Sequence, residues 1–291
     1  MTILAIAQAC AKRLQLTSPT TFVGSTDNNM ILLKAMIEKA LDDIKDTYVW
    51  PELEREYTFT LSTSTASYAF PTDFDSRQFG TEWNRTQHWP LIGPLDAVEW
   101  QQYKSGYTTS FPMQRFRVKG SSTTQFYIDP TPSSSENGQT IVYEYISTNV
   151  VRPKTWVAST AWAGFQYCWY NGNYYDRGGV GAASTGTTPP THVTGSASDG
   201  SISWTYINTT YPITYDSDEI ILDNSMIIDG AVWRFKMERG LDYQELKLNA
   251  EEGIELAVTK LAGAATMTIN QKRLGAPLIG PWSYPEGNFN F

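Results

Sequence analysis

Two short clusters of carboxylates are the residues whose types and spacing come closest to supporting catalysis. Glu52, Glu54 and Glu56 alternate along the chain, and Asp73 and Asp75 stand two residues apart. A glycosidase needs such a pair, with one carboxyl group as the acid and the other as base or nucleophile. The Pro-Thr-Asp stretch that ends at Asp73 more simply predicts a turn, and alternating glutamates are typical of an exposed strand edge. The clusters therefore indicate surface structure, and we predict no enzymatic activity.

Other reactive side chains are few. His88 and His192 are the two histidines, and each is flanked by turn or aromatic residues, which favours a structural role. Cys10 and Cys168 are too few and too far apart for a disulfide framework or a zinc site. The sequence contains neither a phosphate-binding glycine loop nor a GxSxG or HExxH motif. We therefore predict no catalytic residues, no cofactor and no metal.

The composition is aromatic and acidic. The 291 residues include 10 Trp, 17 Tyr and 12 Phe, and the formal net charge is -8. Aromatic side chains among many Ser, Thr and Gly favour β-rich surfaces that meet proteins or sugars, whereas the negative charge argues against a surface that grips DNA. No apolar run reaches the roughly 18 residues of a membrane span, and the N-terminus lacks the pattern of a signal peptide. We expect a soluble protein made in a cytoplasm, with no membrane contact.

The elements that would position a site are clearest in residues 218–265, which predict two antiparallel helices. Gly240 fits the left-handed cap that ends the first of them. Two more amphipathic helices are predicted near the N-terminus, over 3–14 and 27–48. Both pairs carry apolar faces too wide to cover themselves, so we predict that they pack into one bundle. The apolar stripe predicted for the first helix of the C-terminal pair consists of Leu222, Met226, Gly230, Trp233 and Met237.

Alternating apolar residues between the helical regions predict strands. The predicted fold class is α+β: a helical bundle built from the N- and C-terminal helix pairs, with a central antiparallel β sandwich or barrel, an inserted small β module and an extended C-terminal tail. The predicted domains are the N-terminal helices of the bundle (1–55), the antiparallel β module (56–151), an inserted β module rich in aromatics, Gly and Ser (152–212), the C-terminal helical hairpin (213–267) and the tail (268–291).

The insert has almost no aliphatic residues, so its aromatic rings are its candidate functional groups. In a small module rich in Gly and Ser, such rings more often form the only core. They could instead stack on the faces of sugars or contact a peripheral partner. The candidate contact residues are Trp162, Trp169, Tyr174 and Tyr175.

The tail combines Gly and Pro with large apolar side chains and has no helical or strand period. A merely disordered tail is usually poor in large apolar residues. The composition therefore predicts a segment that becomes ordered when it lies against a partner. Its candidate contact residues are Leu274, Leu278, Ile279, Trp282, Tyr284, Phe289 and Phe291.

Several stretches, in their order along the chain, resemble the head-to-tail adaptor (connector) proteins of tailed bacteriophages, especially short-tailed ones. The stretches are Tyr48-Val-Trp50-Pro-Glu-Leu53, Tyr68-Ala-Phe-Pro71-Thr-Asp73-Phe74, Tyr143-Glu-Tyr145-Ile-Ser147, and Asp216-Ser-Asp218 leading through Ala231-Val-Trp-Arg234 to Gly240-Leu-Asp-Tyr243. Within the insert, Gly186-Thr-Thr-Pro-Pro-Thr191 and Asp199-Gly-Ser-Ile-Ser-Trp204 resemble a small β module that recurs in phage structural proteins.

This resemblance implies a virion protein at the head–tail junction, made in the host cytoplasm. It implies a ring of twelve copies beneath the portal protein, which extends the DNA channel and offers a platform for the tail tube or nozzle. DNA would pass through without specific binding. In such adaptors the C-terminal segment commonly inserts between portal subunits, and the insert here could contact tail fibre proteins.

Two other classes of function stay open at this point. The first is a carbohydrate- or receptor-binding tail protein that acts through the aromatic module at 152–212. The second is a β-rich glycan hydrolase. A ring that forms with the portal present would favour the adaptor, whereas glycan binding by the insert would favour the first alternative.

Overall fold

The structure is a computed structural model that describes residues 1–106, 114–120, 125–207 and 211–262. Blocks of helices and blocks of antiparallel strands follow each other along the chain, so the fold class is α+β, as predicted. The described helices are α1 (Ile3–Arg13), α2 (Asn28–Thr47), α3 (Ala97–Lys104), α4 (Asn224–Glu238) and α5 (Gln244–Ala262). A single 3-10 turn, Pro51–Leu53, separates α2 from the first strand.

The described strands are mostly short. In chain order they are β1 (Glu54–Thr60), β2 (Ser67–Ala69), β3 (Phe74–Arg77), β4 (Trp83–Asn84), β5 (Trp89–Pro90), β6 (Arg115–Lys119), β7 (Gln125–Asp129), β8 (Thr140–Ser147), β9 (Val151–Arg152), β10 (Ala161–Trp162), β11 (Tyr167–Tyr170), β12 (Asn173–Asp176), β13 (Ala183–Ser184), β14 (Ser196–Asp199), β15 (Ile202–Ile207) and β16 (Glu219–Ile220).

The described chain divides into two compact units. The first contains Met1–Arg55, Thr72–Asp75 and the chain from Ile146 to α5, and the second contains Glu56–Pro71 and Ser76–Tyr145. The predicted insert, 152–212, thus shares a unit with the helices. The domain boundaries drawn from the sequence stay predictions.

Helix α4 is central to the first unit because it packs against α1, α2 and α5. Each of its neighbours α1 and α2 begins at a polar N-cap: Thr2 accepts a hydrogen bond from Ala5 N, and Asp27 accepts one from Asn29 N. Asp223 has the same role at the start of α4. Fully buried side chains that join the helices into one apolar core include Ile3, Ile6, Cys10, Leu33, Ile37, Ile227 and Ala231.

The apolar face of α4 differs from the predicted stripe. Met226 and Gly230 are buried, as predicted, but Met237 is 40% exposed. Trp233 is only partly buried and stacks on Tyr243, with 6.2 Å between the ring centroids. The helix has apolar residues on several sides, so periodicity alone did not single out the face that is turned toward α1 and α2.

Helices α2 and α4 approach each other closely at Gly230. A Cβ atom at this position would stand 3.2 Å from Ala40 Cβ and 3.8 Å from Ile44 Cδ1. One turn along α4, Arg234 donates to the Gly230 carbonyl at 2.8 Å and to the Asp43 carboxylate of α2 at 2.6 Å. Burial raises the pKa of Asp43, but hydrogen bonds from Lys39 and Arg234 outweigh it and hold that pKa below its usual value.

Two sheets of the second unit face each other through aromatic rings. The larger has the strand order β1-β8-β4-β5, with β3 also paired to β8, and the smaller has the order β2-β7-β6. Phe126 of the smaller sheet stacks on Tyr143 of the larger with 5.7 Å between centroids, and Phe59 packs edge-on against Phe126. The prediction left a sandwich or a barrel open, and the described strands form no closed barrel.

The insert builds a four-stranded antiparallel sheet with the order β11-β12-β15-β14. Both of its ends are held by the β9–β16 ladder, in which Val151 pairs with Ile220 and Arg152 with Glu219. An ion pair of 2.6 Å joins the Arg152 and Glu219 side chains. The chain therefore enters and leaves the insert at neighbouring points.

Candidate functional site

Asp73 and Asp75, two of the five carboxylates first considered for catalysis, are engaged in local structure. The predicted turn at Asp73 is present, and its Oδ2 accepts from Ser147 Oγ at 2.5 Å and from Asn149 Nδ2 at 3.4 Å. Asp75 lies 3.5 Å from Lys45 Nζ. These bonds fasten the turn to the end of β8 and to α2, and they leave both carboxylates with a structural partner.

Both histidines make local hydrogen bonds. His192 Nε2 lies 3.1 Å from the Trp204 carbonyl, and its own carbonyl accepts from Tyr175 Oη at 3.1 Å. His88 closes the β4–β5 turn with a φ of 61° and donates its backbone N–H to the Asn84 carbonyl at 2.9 Å. These contacts hold the ring of His192 and the backbone of His88.

Three of the four aromatic residues proposed for glycan or partner contact are buried. Trp162 and Tyr175 lie in the core of the insert, and Tyr174 points to the other side of its strand and joins the helical core. Trp169 is partly buried, with the Arg152 guanidinium 5.0 Å from its ring. Packing is thus the visible role of these rings, and a contact with a glycan stays a prediction.

A buried carboxylate, Asp199, is hydrogen-bonded at the centre of the insert, and it was not among the predicted site residues. Asp199 accepts from the indole N–H of Trp156 at 2.8 Å, from that of Trp204 at 3.2 Å and from Gly186 N at 2.7 Å. A Cβ at Gly186 would meet the same carboxylate at 2.8 Å. These contacts bring the Gly186 and Asp199 stretches together in the fold. The Asp-Gly turn signal was the available clue, but it does not reveal the two indole donors.

A second buried carboxylate, Asp218, stabilises the loop that precedes α4. Asp218 is fully buried and accepts from Thr214 N and Tyr215 N at 2.8 Å and from Tyr211 Oη at 3.2 Å. Burial raises the pKa of Asp218 although these hydrogen bonds favour its charged form. Its carbonyl accepts from Ile3 N at 2.7 Å, so the loop also holds the start of α1.

The exposed side of α5 carries large apolar side chains. Only Ala250 is buried among the residues of α5 whose side chains the structure describes. Leu248 is 59% and Leu256 56% exposed, and acidic residues surround them on the same side of the helix. Exposed leucines on a helix that packs against one neighbour are typical of a surface that another protein covers.

Neither a metal centre nor a membrane span is visible in the described part of the chain. Within residues 1–106, 114–120, 125–207 and 211–262, no three His, Cys, Asp or Glu side chains come together as a metal site. No described helix is both long enough and apolar enough to cross a bilayer. What the described residues do offer is packing, buried carboxylate anchors and surfaces for protein contact.

The family of the chain follows from a comparison with protein-family models. The model for the SU10 adaptor protein matches residues 1–177 of the 291 residues, which is more than half of the chain. The chain belongs to the SU10 adaptor protein family. No curated protein shows a significant match.

The SU10 adaptor match covers α1, α2, the strands of the second unit and the insert as far as β12. Three of the stretches that carried the phage adaptor resemblance, 48–53, 68–74 and 143–147, lie inside it. The stretch 216–243 and both motifs at 186–204 lie beyond it. Membership of a phage adaptor family is thus confirmed, whereas the head-to-tail position and the short-tailed type stay predictions.

The tail residues predicted to contact the portal lie outside the described residues. They are Leu274, Leu278, Ile279, Trp282, Tyr284, Phe289 and Phe291. The SU10 adaptor match also ends before them.

Proposed function

We propose that this adaptor assembles as a ring of twelve copies beneath the portal of a short-tailed phage. The ring extends the DNA channel and gives the tail tube or nozzle a docking platform. The protein is made in the host cytoplasm and resides in the virion at the head–tail junction. The observation that carries this proposal is the family match over residues 1–177.

The packing of the helices supports lateral assembly. In the proposed bundle, α4 is covered by α1, α2 and α5, while the leucines of α5 face away from that core. Covering Leu248 and Leu256 with a neighbouring copy would remove apolar area from water, which stabilises an assembly in proportion to the area. Because every copy carries the same surface, the gain repeats around the ring.

The charge of the chain supports a channel through which DNA moves. A formal net charge of -8 repels phosphates, so a ring of such subunits does not hold DNA by counterion release. DNA then passes through without specific binding.

The tail is the proposed anchor to the portal. Fixing each residue of a tail costs about 1–2 kcal/mol of conformational entropy, so the aromatic anchors Trp282, Tyr284, Phe289 and Phe291 must offset a substantial sum. Repetition around the ring helps, because once one tail has docked, the others bind at a high effective concentration.

The test is assembly with the portal before and after removal of the tail. Native mass measurement and negative-stain microscopy of the full chain with portal protein should show a ring on the portal. A chain truncated after Thr266 should melt like the full chain but fail to attach. Attachment of the truncated chain with unchanged affinity would rule out the tail as the anchor, and a chain that stays monomeric beside the portal would rule out the ring.

The alternative is a carbohydrate- or receptor-binding tail protein that acts through residues 152–212, or a tail fibre contact through the same module. Burial weighs against the glycan version, since Trp162, Tyr174 and Tyr175 are each at most 4% exposed. Of the four candidate rings, Trp169 alone is left partly accessible.

A further inference from the structure

The outer face of the five-stranded sheet carries an open groove that the proposed adaptor role does not use. Its volume is about 600 Å³, within the range of small-molecule sites. Trp83 on β4 stands opposite Val142 on β8, and the Trp83 side chain is 37% exposed. Tyr143 is fully buried, so the alternation of the strand sends its neighbours Val142 and Glu144 to the outer face.

A buried amide holds the rim of this groove in place. Asn84 is fully buried, and its Nδ2 donates to Gln114 Oε1 at 3.0 Å and to Gln139 Oε1 at 2.7 Å. The turn that follows Asn84 closes at His88, whose N–H donates to the Asn84 carbonyl at 2.9 Å. The network therefore fixes the turn that presents Arg85 and His88 to the groove, which makes the rim preorganised.

Some polar groups of the groove are already paired with protein groups, whereas others are available to a ligand. Arg85 makes two hydrogen bonds to the Glu56 carboxylate, at 3.0 and 2.5 Å. Glu144 lines the groove and has no ion pair with any described residue. The groove thus combines an apolar indole, a free carboxylate, a guanidinium–carboxylate pair and an imidazole.

We propose that this groove binds a saccharide. The apolar C–H face of a sugar ring packs on the Trp83 indole, and the ring hydroxyls can donate to Glu144 and accept from Arg85 or His88. Hydrogen bonds to charged groups are about twice as strong as neutral ones, so a few of them fix the orientation of a ring. The volume suits one or two sugar rings with part of their surface open to solvent.

Other classes of ligand would match fewer of the chemical groups that line the groove. A nucleic acid needs free cations, but the Arg85 guanidinium is already paired and the chain carries a formal net charge of -8. A basic side chain would use Trp83 and Glu144 but would meet the Arg85 guanidinium as a like charge. The site is also distinct from the aromatic insert, in which the candidate rings are mostly buried.

The test is glycan binding by the intact protein. Labelled full-length protein is applied to an array of bacterial and synthetic glycans, and the best hit is titrated by calorimetry. We expect wild-type protein to bind, Trp83→Ala to weaken binding at least tenfold and Glu144→Gln to weaken it by about three- to tenfold. Glu144 is exposed and forms no ion pair with the described residues, so its substitution keeps the test valid even if Trp83→Ala fails to fold.

Two aromatic substitutions outside the groove serve as controls. Phe79 is 79% exposed and does not line the groove, and Trp169 belongs to the insert. Phe79→Ala and Trp169→Ala should bind like wild type. The proposal is overturned if no glycan binds wild-type protein, if binding persists in Glu144→Gln and Trp83→Ala, if Trp169→Ala abolishes it, or if a lysine-rich peptide competes while sugars do not. None of these outcomes bears on ring formation.

Discussion

Replacement of Gly230 by valine tests a close contact between α2 and α4. A Cβ alone would already lie 3.2 Å from Ala40 Cβ, and valine adds two methyl groups beyond it. Overpacking of this kind costs about 1–3 kcal/mol. Displacement of Arg234 weakens a partly exposed ion pair with Asp43, worth up to about 1 kcal/mol, while the better helix propensity of valine returns about 0.5 kcal/mol.

Together these contributions should lower the free energy of unfolding of Gly230→Val by about 0.5–3.5 kcal/mol, or its Tm by roughly 1–6 °C for a chain of this size. Thermal and urea unfolding followed by far-UV circular dichroism measure it. Gly253 on α5 provides the matched control, because no atom lies within 4 Å of its Cβ position. Gly253→Ala should therefore stabilise the protein by up to about 1 kcal/mol. If Gly230→Val melted at or above the wild-type temperature, α2 and α4 would not approach each other at this residue.

Three further predictions concern single groups of the first unit. Because the folded-state pKa of Asp43 is depressed, its pairing stabilises the fold above the ordinary aspartate pKa of about 3.9 and is lost as the pH falls through the depressed value. Asp43→Asn should thus be less stable than wild type by up to about 1 kcal/mol at pH 7. Urea titrations should show this difference shrinking as the pH falls below the ordinary aspartate pKa of about 3.9, and a difference independent of pH would contradict the prediction. Asp199→Ala leaves the Trp204 indole N–H without its acceptor, so we expect the free energy of unfolding to fall by about 1–3 kcal/mol. The near-UV circular dichroism signal of the insert should also weaken. An unchanged near-UV spectrum would argue that Asp199 does not anchor the indoles. Burial raises the pKa of the Cys10 thiol to about 12 and also raises that of Cys168, so neither should react with Ellman's reagent at pH 8 before unfolding; rapid labelling of the native protein would show that the thiols are accessible.

The helices and the class of the fold were predictable because their signals are local. Polar N-caps such as Asp27, apolar residues at helical spacing and a glycine after α4 appear within a few residues of each other. Gly240 does adopt a left-handed φ of 65°. The turn at Asp73 was predictable for the same reason.

The carboxylate anchors were not predictable, since their partners are distant in sequence. Asp216 accepts a hydrogen bond from Phe22 N, 194 residues away. The residues next to Asp216 in the sequence do not indicate that donor. The solvent exposure of individual aromatic rings was also not predictable from the sequence. Trp162 and Trp83 look alike as residues in short strands, yet one is 1% and the other 37% exposed, because exposure depends on which face of a sheet finds a second layer.

The hydrogen bonds between the start of the chain and the loop before α4 also determine when the first unit can fold during translation. Ile3 and Leu4 donate to carbonyls at Asp218 and Asp216, and α1 and α2 both pack on α4, which is synthesised roughly 200 residues later. At about 5–20 residues per second, a ribosome needs about 10–40 s to produce that partner. During this interval the apolar side chains of α1 and α2 lack α4, the helix against which both of them pack. We therefore expect the first unit to close only near the end of translation, and its early helices to be the part of the nascent chain that chaperones hold.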